Sequence, residues 1–252
     1  MILFKIYKIN FDQVYISQGD LKMSDNNISR RSILKGAALG AGAILTVGCT
    51  EQKSVTPKKG DFKMSYKNED FYKDGKFQAD FAKEVYFEML KSFDYPIYKQ
   101  FKTGEFWALD FGTGNFLETG MAGIFWFNNY RDRYFGHEIF LLPNQMIVEH
   151  AHFKTKKAPP KMEAWQVRHG SIYNFGEGKP NIATSKVVLP AKEKKFITCP
   201  HVEYLTEGDC RELKTPESKH FMMAGPNGAI VTEYANFHDN DGLRFTNPKA
   251  KL

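Results

Sequence analysis

The chain has 252 residues, 42% hydrophobic side chains and a formal net charge of +6, which suits one folded domain with a sizeable core. Six basic and three acidic side chains fall in the first 48 residues, so the remainder carries 29 basic against 26 acidic groups. This near balance removes the compositional support for a nucleic-acid partner. Three cysteines are too few for a disulfide-rich scaffold.

Residues 1–49 have the organisation of an export signal. Two adjacent arginines, typical of the twin-arginine route, precede an apolar run at 36–48 that is too short to span a bilayer. The run ends at Cys49, where a bacterial lipoprotein would carry its lipid. We therefore predict export to the periplasm or another extracytoplasmic compartment, membrane anchoring through Cys49, and Met23 as the true start.

Three further regions follow along the chain. Residues 50–66 are rich in Lys, Thr, Ser and Gln, which is typical of a solvated linker. Residues 67–104 form a predicted N-terminal helical extension, because apolar residues recur there at steps of three and four and stop before Pro96. The stripe consists of Ala82, Val85, Tyr86, Met89, Leu90 and Phe93.

Residues 105–252 form the predicted main domain, in which short β-prone runs alternate with turns. This pattern predicts a mainly β sandwich or barrel. The predicted strands are Gly123–Phe127, His137–Leu142, Met146–His152, Trp165–Val167, Ser171–Phe175, Lys186–Leu189, Phe196–Thr198, Cys210–Leu213 and Ala229–Phe237.

Three histidines and a glutamate form a candidate metal site. His150 and His152 are two residues apart, so on a strand both side chains lie on one face. Glu163 and His220 can reach that face from neighbouring strands. Nitrogen and oxygen ligands without a thiolate favour Zn, Mn, Fe, Co or Ni. The alternative is that the paired histidines occur by chance.

Glu233 and Lys161 are further candidate residues of the same site. Glu233 shares a strand face with Val231 and Ala235, and a carboxylate that points into a barrel is costly unless it has a role. Lys161 precedes Glu163 by two residues and would share its face. The alternatives are a Glu on an exposed edge strand and a solvated Lys.

The remaining polar residues give weaker signals. The other histidines, His137, His169, His201 and His238, are interpreted as surface or structural residues rather than ligands. Asp239 can line the mouth of the site and bind substrate hydroxyls, or cap its own loop. Cys199 and Cys210 can pair or stay reduced, and neither lies in a CxxC motif.

Several motifs resemble the D-lyxose isomerase family of cupins, which are small double-stranded β-helix barrels of the jelly-roll type. The likeness covers about residues 105–249. It is carried by Trp107 to Gly112 with Gly114 to Phe116, by Lys161 to Glu163 with Arg168 to Tyr173, by Lys219 to Phe221, by Ala224 to Ala229, by Val231 to Tyr234, and by Phe245 to Pro248.

The resemblance implies a role for each candidate residue. His150, His152, Glu163 and His220 become ligands of one divalent ion, with Mn favoured. Glu233 and Lys161 become the acid–base and substrate-contacting pair. The implied reaction is a metal-dependent aldose–ketose isomerisation through an enediol, of the D-lyxose/D-xylulose or D-mannose/D-fructose type. A homodimer is compatible with this fold.

Two other functions stay open at this point. A cupin oxygenase can use the same ligands to hold Fe, Ni or Cu, but it needs an apolar cavity and no acid–base pair. A non-catalytic lipoprotein that binds sugar or metal would fit the predicted export and linker.

Overall fold

The computed structural model describes residues 62–252, so the predicted signal region with Cys49 and most of the predicted linker lie outside the described residues. Within the described part, no helix combines the length and apolar character needed to cross a membrane. One α-helix, α1, spans Ala79–Ser92. The strands are β1 Tyr72–Lys73, β2 Lys76–Phe77, β3 Phe106–Leu109, β4 Met121–Asn129, β5 Tyr134–Leu141, β6 His150–His152, β7 Glu163–Gly176, β8 His201–Thr206, β9 Cys210–Glu212, β10 Phe221–Asn236 and β11 Leu243–Phe245.

Helix α1 forms as its apolar stripe predicts. The buried positions of the helix are Ala82, Val85, Tyr86, Met89 and Leu90. They pack against the outer face of the sheet, in one cluster with Phe106 of β3 and Phe140 of β5. The Tyr86 hydroxyl donates to Gln145 Oε1 at 2.5 Å, which satisfies the only polar atom on the buried side chains of this face.

The end of the predicted linker is packed rather than extended. Phe62 is buried in the cluster that α1 forms with the sheet. The Tyr66 hydroxyl donates to Glu88 Oε1 on the helix at 2.8 Å. Residues 62–66 therefore belong to the folded part of the chain.

The main sheet is antiparallel throughout and has the strand order β3-β4-β5-β10-β7-β8, with β9 paired to β7. A second pair, β6 and β11, lies apart from this path. The mainly β, jelly-roll-like architecture predicted from the sequence is confirmed. Because strand β10 pairs with both β5 and β7, its inward residues lie at the centre of the sheet.

Several predicted strand boundaries were wrong, for local reasons. The predictions at Trp165–Val167 and Ser171–Phe175 fuse into the single strand β7. Lys186–Leu189 forms no strand, and Val188 is 80% exposed there. Phe196–Thr198 also forms no strand. Its Thr198 N–H donates to the Glu149 carboxylate at 2.8 Å, where a strand residue would donate to a neighbouring strand.

Candidate metal centre and acid–base site

The four predicted ligands converge at one place. His150 and His152 occupy both ends of the short strand β6, Glu163 begins β7, and His220 directly precedes β10. Backbone bonds of 3.1 and 2.9 Å join His150 to His220 in both directions. One potential ligand atom from each of the four residues lies within 4.8 Å of the others. These four side chains can therefore hold one metal ion.

Backbone carbonyls orient two of the imidazoles. His150 Nδ1 lies 2.8 Å from the Val148 carbonyl oxygen, and His220 Nδ1 lies 3.0 Å from the Ser218 carbonyl oxygen. Each Nδ1–H must donate to its carbonyl, so in the neutral imidazole Nε2 carries the lone pair that can bind a metal. Such a partner on the second nitrogen is the usual companion of a metal-binding histidine.

Burial and neighbouring charge favour neutral imidazoles on β6, and neutral imidazole is the form that binds a metal. Burial and the proximity of His220 lower the pKa of His150 to about 3. Burial and the charge of Lys161 hold the pKa of His152 well below its ordinary value. For His220, burial is opposed by the Glu163 carboxylate, which raises its pKa. His152 Nδ1 is buried without a hydrogen-bond partner. His152 Nε2 lies 3.5 Å from Glu163 Oε1, and His220 Nε2 contacts the same oxygen, so this donor set fits a divalent ion.

Lys161 connects the ligand cluster to Glu233. Its ammonium lies 2.8 Å from Glu163 Oε2 and also contacts Glu233 Oε1. All three side chains are buried. Burial alone would raise the pKa of Glu233, but the charge of Lys161 and the hydrogen bond with His137 together lower that pKa. The carboxylate is therefore ionised and available as a base.

Two histidines that the sequence assigned to surface or structural roles line the same cavity. His137 Nδ1 lies 3.0 Å from Glu233 Oε2, and His238 Nε2 lies 2.6 Å from Asn240 Oδ1. The sequence did contain a signal for the inward position of His137, because His137 shares one face of its strand with the inward residues Phe135 and Ile139. For His238, whose loop is irregular, the sequence offered no comparable signal.

Asp239 takes the capping position that the sequence left open. Its carboxylate accepts from Thr155 Oγ1 at 2.7 Å and from the Asp241 N–H at 3.2 Å. It is not among the residues that line the cavity, whereas its neighbours His238 and Asn240 are. Cys199 is buried, Cys210 is exposed, and both are free thiols.

The cavity has a volume of about 280 Å³ and 23 lining residues, of which 14 are apolar. Trp107 and Trp165 form part of its wall, while Trp126 does not. The remaining nine lining residues are polar: His137, His150, His152, Lys161, Glu163, His220, Glu233, His238 and Asn240. The polar groups thus form one connected cluster within an apolar barrel.

The fold and this cluster define a cupin-type barrel with a candidate metal centre beside an acid–base pair. Among solved structures, the L-ribose isomerase of Cellulomonas parahominis matches with a TM-score of 0.52 at 13% identity, over 68% of this chain and 91% of that one. The L-ribose isomerase of Acinetobacter sp. DL28 matches with the same TM-score over 92% of its chain. At these identities the likeness concerns the fold.

Sequence similarity places the chain more narrowly. It is 34% identical over 142 residues to a D-lyxose ketol-isomerase of Cohnella laeviribosi, which is 56% of this chain and 76% of that relative. A D-lyxose/D-mannose isomerase of Thermosediminibacter oceani is 31% identical over the same lengths. No protein-family model matches the chain. The chain belongs to the D-lyxose ketol-isomerase family, and it is an enzyme of the aldose–ketose isomerase class.

Proposed function

We propose that this protein interconverts an aldose of the D-lyxose or D-mannose type and its ketose through an enediol. The single observation that carries this proposal is the buried Glu233 carboxylate, paired with Lys161 in the same cavity as the three-histidine, one-glutamate cluster. A buried carboxylate and ammonium that face a cavity are suited to moving protons. The family relationship supports the same reaction.

The chain's own residues account for the proton movements. Glu233 takes the proton from C2 of the aldose and returns it to C1, which is general base and then general acid catalysis. The hydroxyl proton moves from O2 to O1, and Lys161 can give a proton to O1 and take one from O2. The largely apolar wall disfavours water beside the reacting atoms, which would limit loss of the transferred proton.

We propose His150, His152, Glu163 and His220 as ligands of one divalent ion, with Mn favoured over Zn, Co, Ni or Fe. When bound, this ion supplies a Lewis acid that stabilises negative charge on the sugar oxygens. These four side chains would hold it, and the single positive charge of Lys161 partly offsets the charges of Glu163 and Glu233 beside it.

The test is an aldose-to-ketose assay on chelator-treated protein resupplied with one metal at a time. Restored turnover of D-lyxose or D-mannose should fall by about 10²–10⁴ in Glu233→Gln, the loss expected for a positioned acid–base group. Glu138→Gln is the matched control, because Glu138 is also buried on the sheet but binds Thr232 Oγ1 at 2.8 Å outside the cavity. Equal losses in both variants would contradict the assignment of Glu233.

The largely apolar lining favours one alternative, a cupin oxygenase. Oxygen uptake with an aromatic substrate, unaffected by Glu233→Gln, would establish that alternative. Tight sugar binding without turnover under any metal would instead establish a binding protein.

We also propose that the protein is exported by the twin-arginine route and anchored through Cys49. This rests on the sequence pattern alone. Replacing Arg30 and Arg31 with lysine should block export, and Cys49→Ala should release the exported protein from the membrane fraction. Unchanged fractionation of both variants would contradict the proposal.

A further inference from the structure

His137 lies directly opposite Glu233 in the barrel. The two residues are register partners on β5 and β10, and their side chains are 5% and 8% exposed. His137 Nδ1 is 3.0 Å from Glu233 Oε2. An ionised carboxylate can only accept hydrogen bonds, so Nδ1 carries the proton and donates it to this oxygen.

Three neighbours fix the His137 ring in this position. Trp107 stacks on it with the ring centroids 5.5 Å apart, and Phe125 meets it edge-on at 4.8 Å. Gly123 lies against Nε2, where a side-chain carbon would overlap the imidazole. Glycine at this strand position therefore allows the close approach of the ring.

The far nitrogen of His137 packs against Gly123 of the neighbouring strand. His137 Nε2 is buried and has no hydrogen-bond partner among the described residues. The one hydrogen bond that the described residues give the ring is the one to Glu233. We therefore expect any contribution of His137 to the reaction to act through that carboxylate.

The two oxygens of Glu233 have different partners. Oε1 contacts Lys161, which also binds Glu163 at 2.8 Å. Oε2 is held by His137, and the ring nitrogens of His137 bind no other described residue. Lys161 divides its charge between two carboxylates, whereas His137 constrains Glu233 alone.

We propose that His137 is a positioning residue for the isomerase reaction, which holds Glu233 Oε2 so that the carboxylate meets the sugar carbons in one orientation. This inference rests on the proposed function. Without His137, Glu233 is free to rotate with Lys161 toward Glu163. Misplacement of a reacting group by about 1 Å can cost about 10²-fold in rate.

Steady-state kinetics of two His137 variants test this role. His137→Leu removes the donor and should lower kcat by about 10- to 100-fold, with KM for D-lyxose unchanged within about twofold. His137→Asn keeps an N–H donor near the position of Nδ1 and should recover most of kcat. His169→Leu is the matched control, because His169 also lies beside a carboxylate, Glu207 at 3.1 Å, but outside the cavity. It should leave kcat unchanged.

Gly123→Ala provides a test that keeps the imidazole. The added methyl group should displace His137 and lower kcat on its own. In the His137→Asn background the part of this effect that acts through the imidazole should vanish, whereas the overlap of the methyl group with Trp107 remains. The combined effect should therefore be smaller than the sum of the two single effects, and such non-additivity reports direct coupling.

The outcomes separate the positioning role from the isomerase function. Equal kcat losses in His137→Leu and His137→Asn, an effect on KM alone, or additive effects of Gly123→Ala and His137→Asn would overturn the positioning role. An inactive wild-type protein under every metal would instead overturn the isomerase function on which it rests.

Discussion

Two lysines of this protein form ion pairs of equal length in opposite environments. Lys161 Nζ lies 2.8 Å from Glu163 Oε2, and the two side chains are 5% and 4% exposed. Lys157 Nζ lies 2.8 Å from Asp241 Oδ2, with exposures of 59% and 68%. The substitutions Lys161→Met and Lys157→Met remove the same charge and keep a similar side-chain volume. They therefore compare, in the free energy of unfolding, a buried cation shared by two carboxylates with an exposed cation paired to one.

The buried substitution should be far more costly. In Lys161→Met, the Glu163 and Glu233 carboxylates lose their shared cation, and breaking a buried pair from one side costs about 3–5 kcal/mol. The exposed pair is screened by water and contributes about 0–1 kcal/mol. For a domain of this size, 3–5 kcal/mol corresponds to a fall in Tm of roughly 6–20 °C.

Urea unfolding in the presence of a chelator measures both variants against the wild type. Addition of divalent metal should then reduce the loss of unfolding free energy in Lys161→Met, because the charge of the metal would lie beside Glu163. The unfolding free energy of Lys157→Met should not change. Equal unfolding free energies for the two variants would refute the reasoning, because the buried carboxylates would then not depend on the Lys161 charge.

Three further predictions concern the backbone, the pH dependence and the substrate. Gly170→Ala should lower the free energy of unfolding in urea by more than Gly75→Ala. Both residues have a left-handed φ near +73°, which costs about 1–2 kcal/mol for alanine. Of the two, only at Gly170 would the methyl group overlap a backbone oxygen. Glu149→Gln should lower stability at pH 7 by about 1.5–3 kcal/mol. Burial opposes ionisation of Glu149, but the hydrogen bonds from Thr198 and Cys199 lower its pKa from 4.5. The stability difference between the wild type and Glu149→Gln is therefore complete above pH 4.5 and disappears as the pH falls through the lowered pKa. Equal losses of unfolding free energy at pH 7 and pH 2 would contradict this prediction. In assays that include D-lyxose as the reference substrate, 6-deoxy-D-mannose should exceed D-mannose in kcat/KM by up to about 10²-fold. The reason is that the 14 apolar lining residues leave the C6 hydroxyl of D-mannose without partners. Equal kcat/KM values would show that C6 does not meet the apolar wall.

The sequence predicted local features better than pairings across the sheet. Helix α1 carries its burial pattern in its own periodicity, and His150 and His152 share a face because they lie on one strand. The contact of His137 with Glu233 joins residues 96 positions apart, and no spacing within either strand indicates it. The loss of a strand at Phe196–Thr198 depends on Glu149, about 50 residues away, so β-propensity alone gave the wrong result there.

Lys161 makes the ligand cluster and the acid–base residue parts of one electrostatic unit. Its single positive charge partly offsets the negative charges of both Glu233 and Glu163, so a change at one carboxylate alters the electrostatic environment of the other. Replacing Glu233 with neutral glutamine removes one negative charge beside the cluster and leaves Lys161 paired with Glu163 alone, which weakens that carboxylate as a metal ligand. Glu233→Gln should therefore bind metal less tightly than the wild type in a competition titration, even though Glu233 is not itself among the proposed ligands. The kcat of this variant therefore reports on the acid–base role only at saturating metal. His137 contacts Glu233 but forms no described hydrogen bond with Lys161 or Glu163. Substitutions of His137 therefore perturb the Glu233 carboxylate with less effect on the metal ligands.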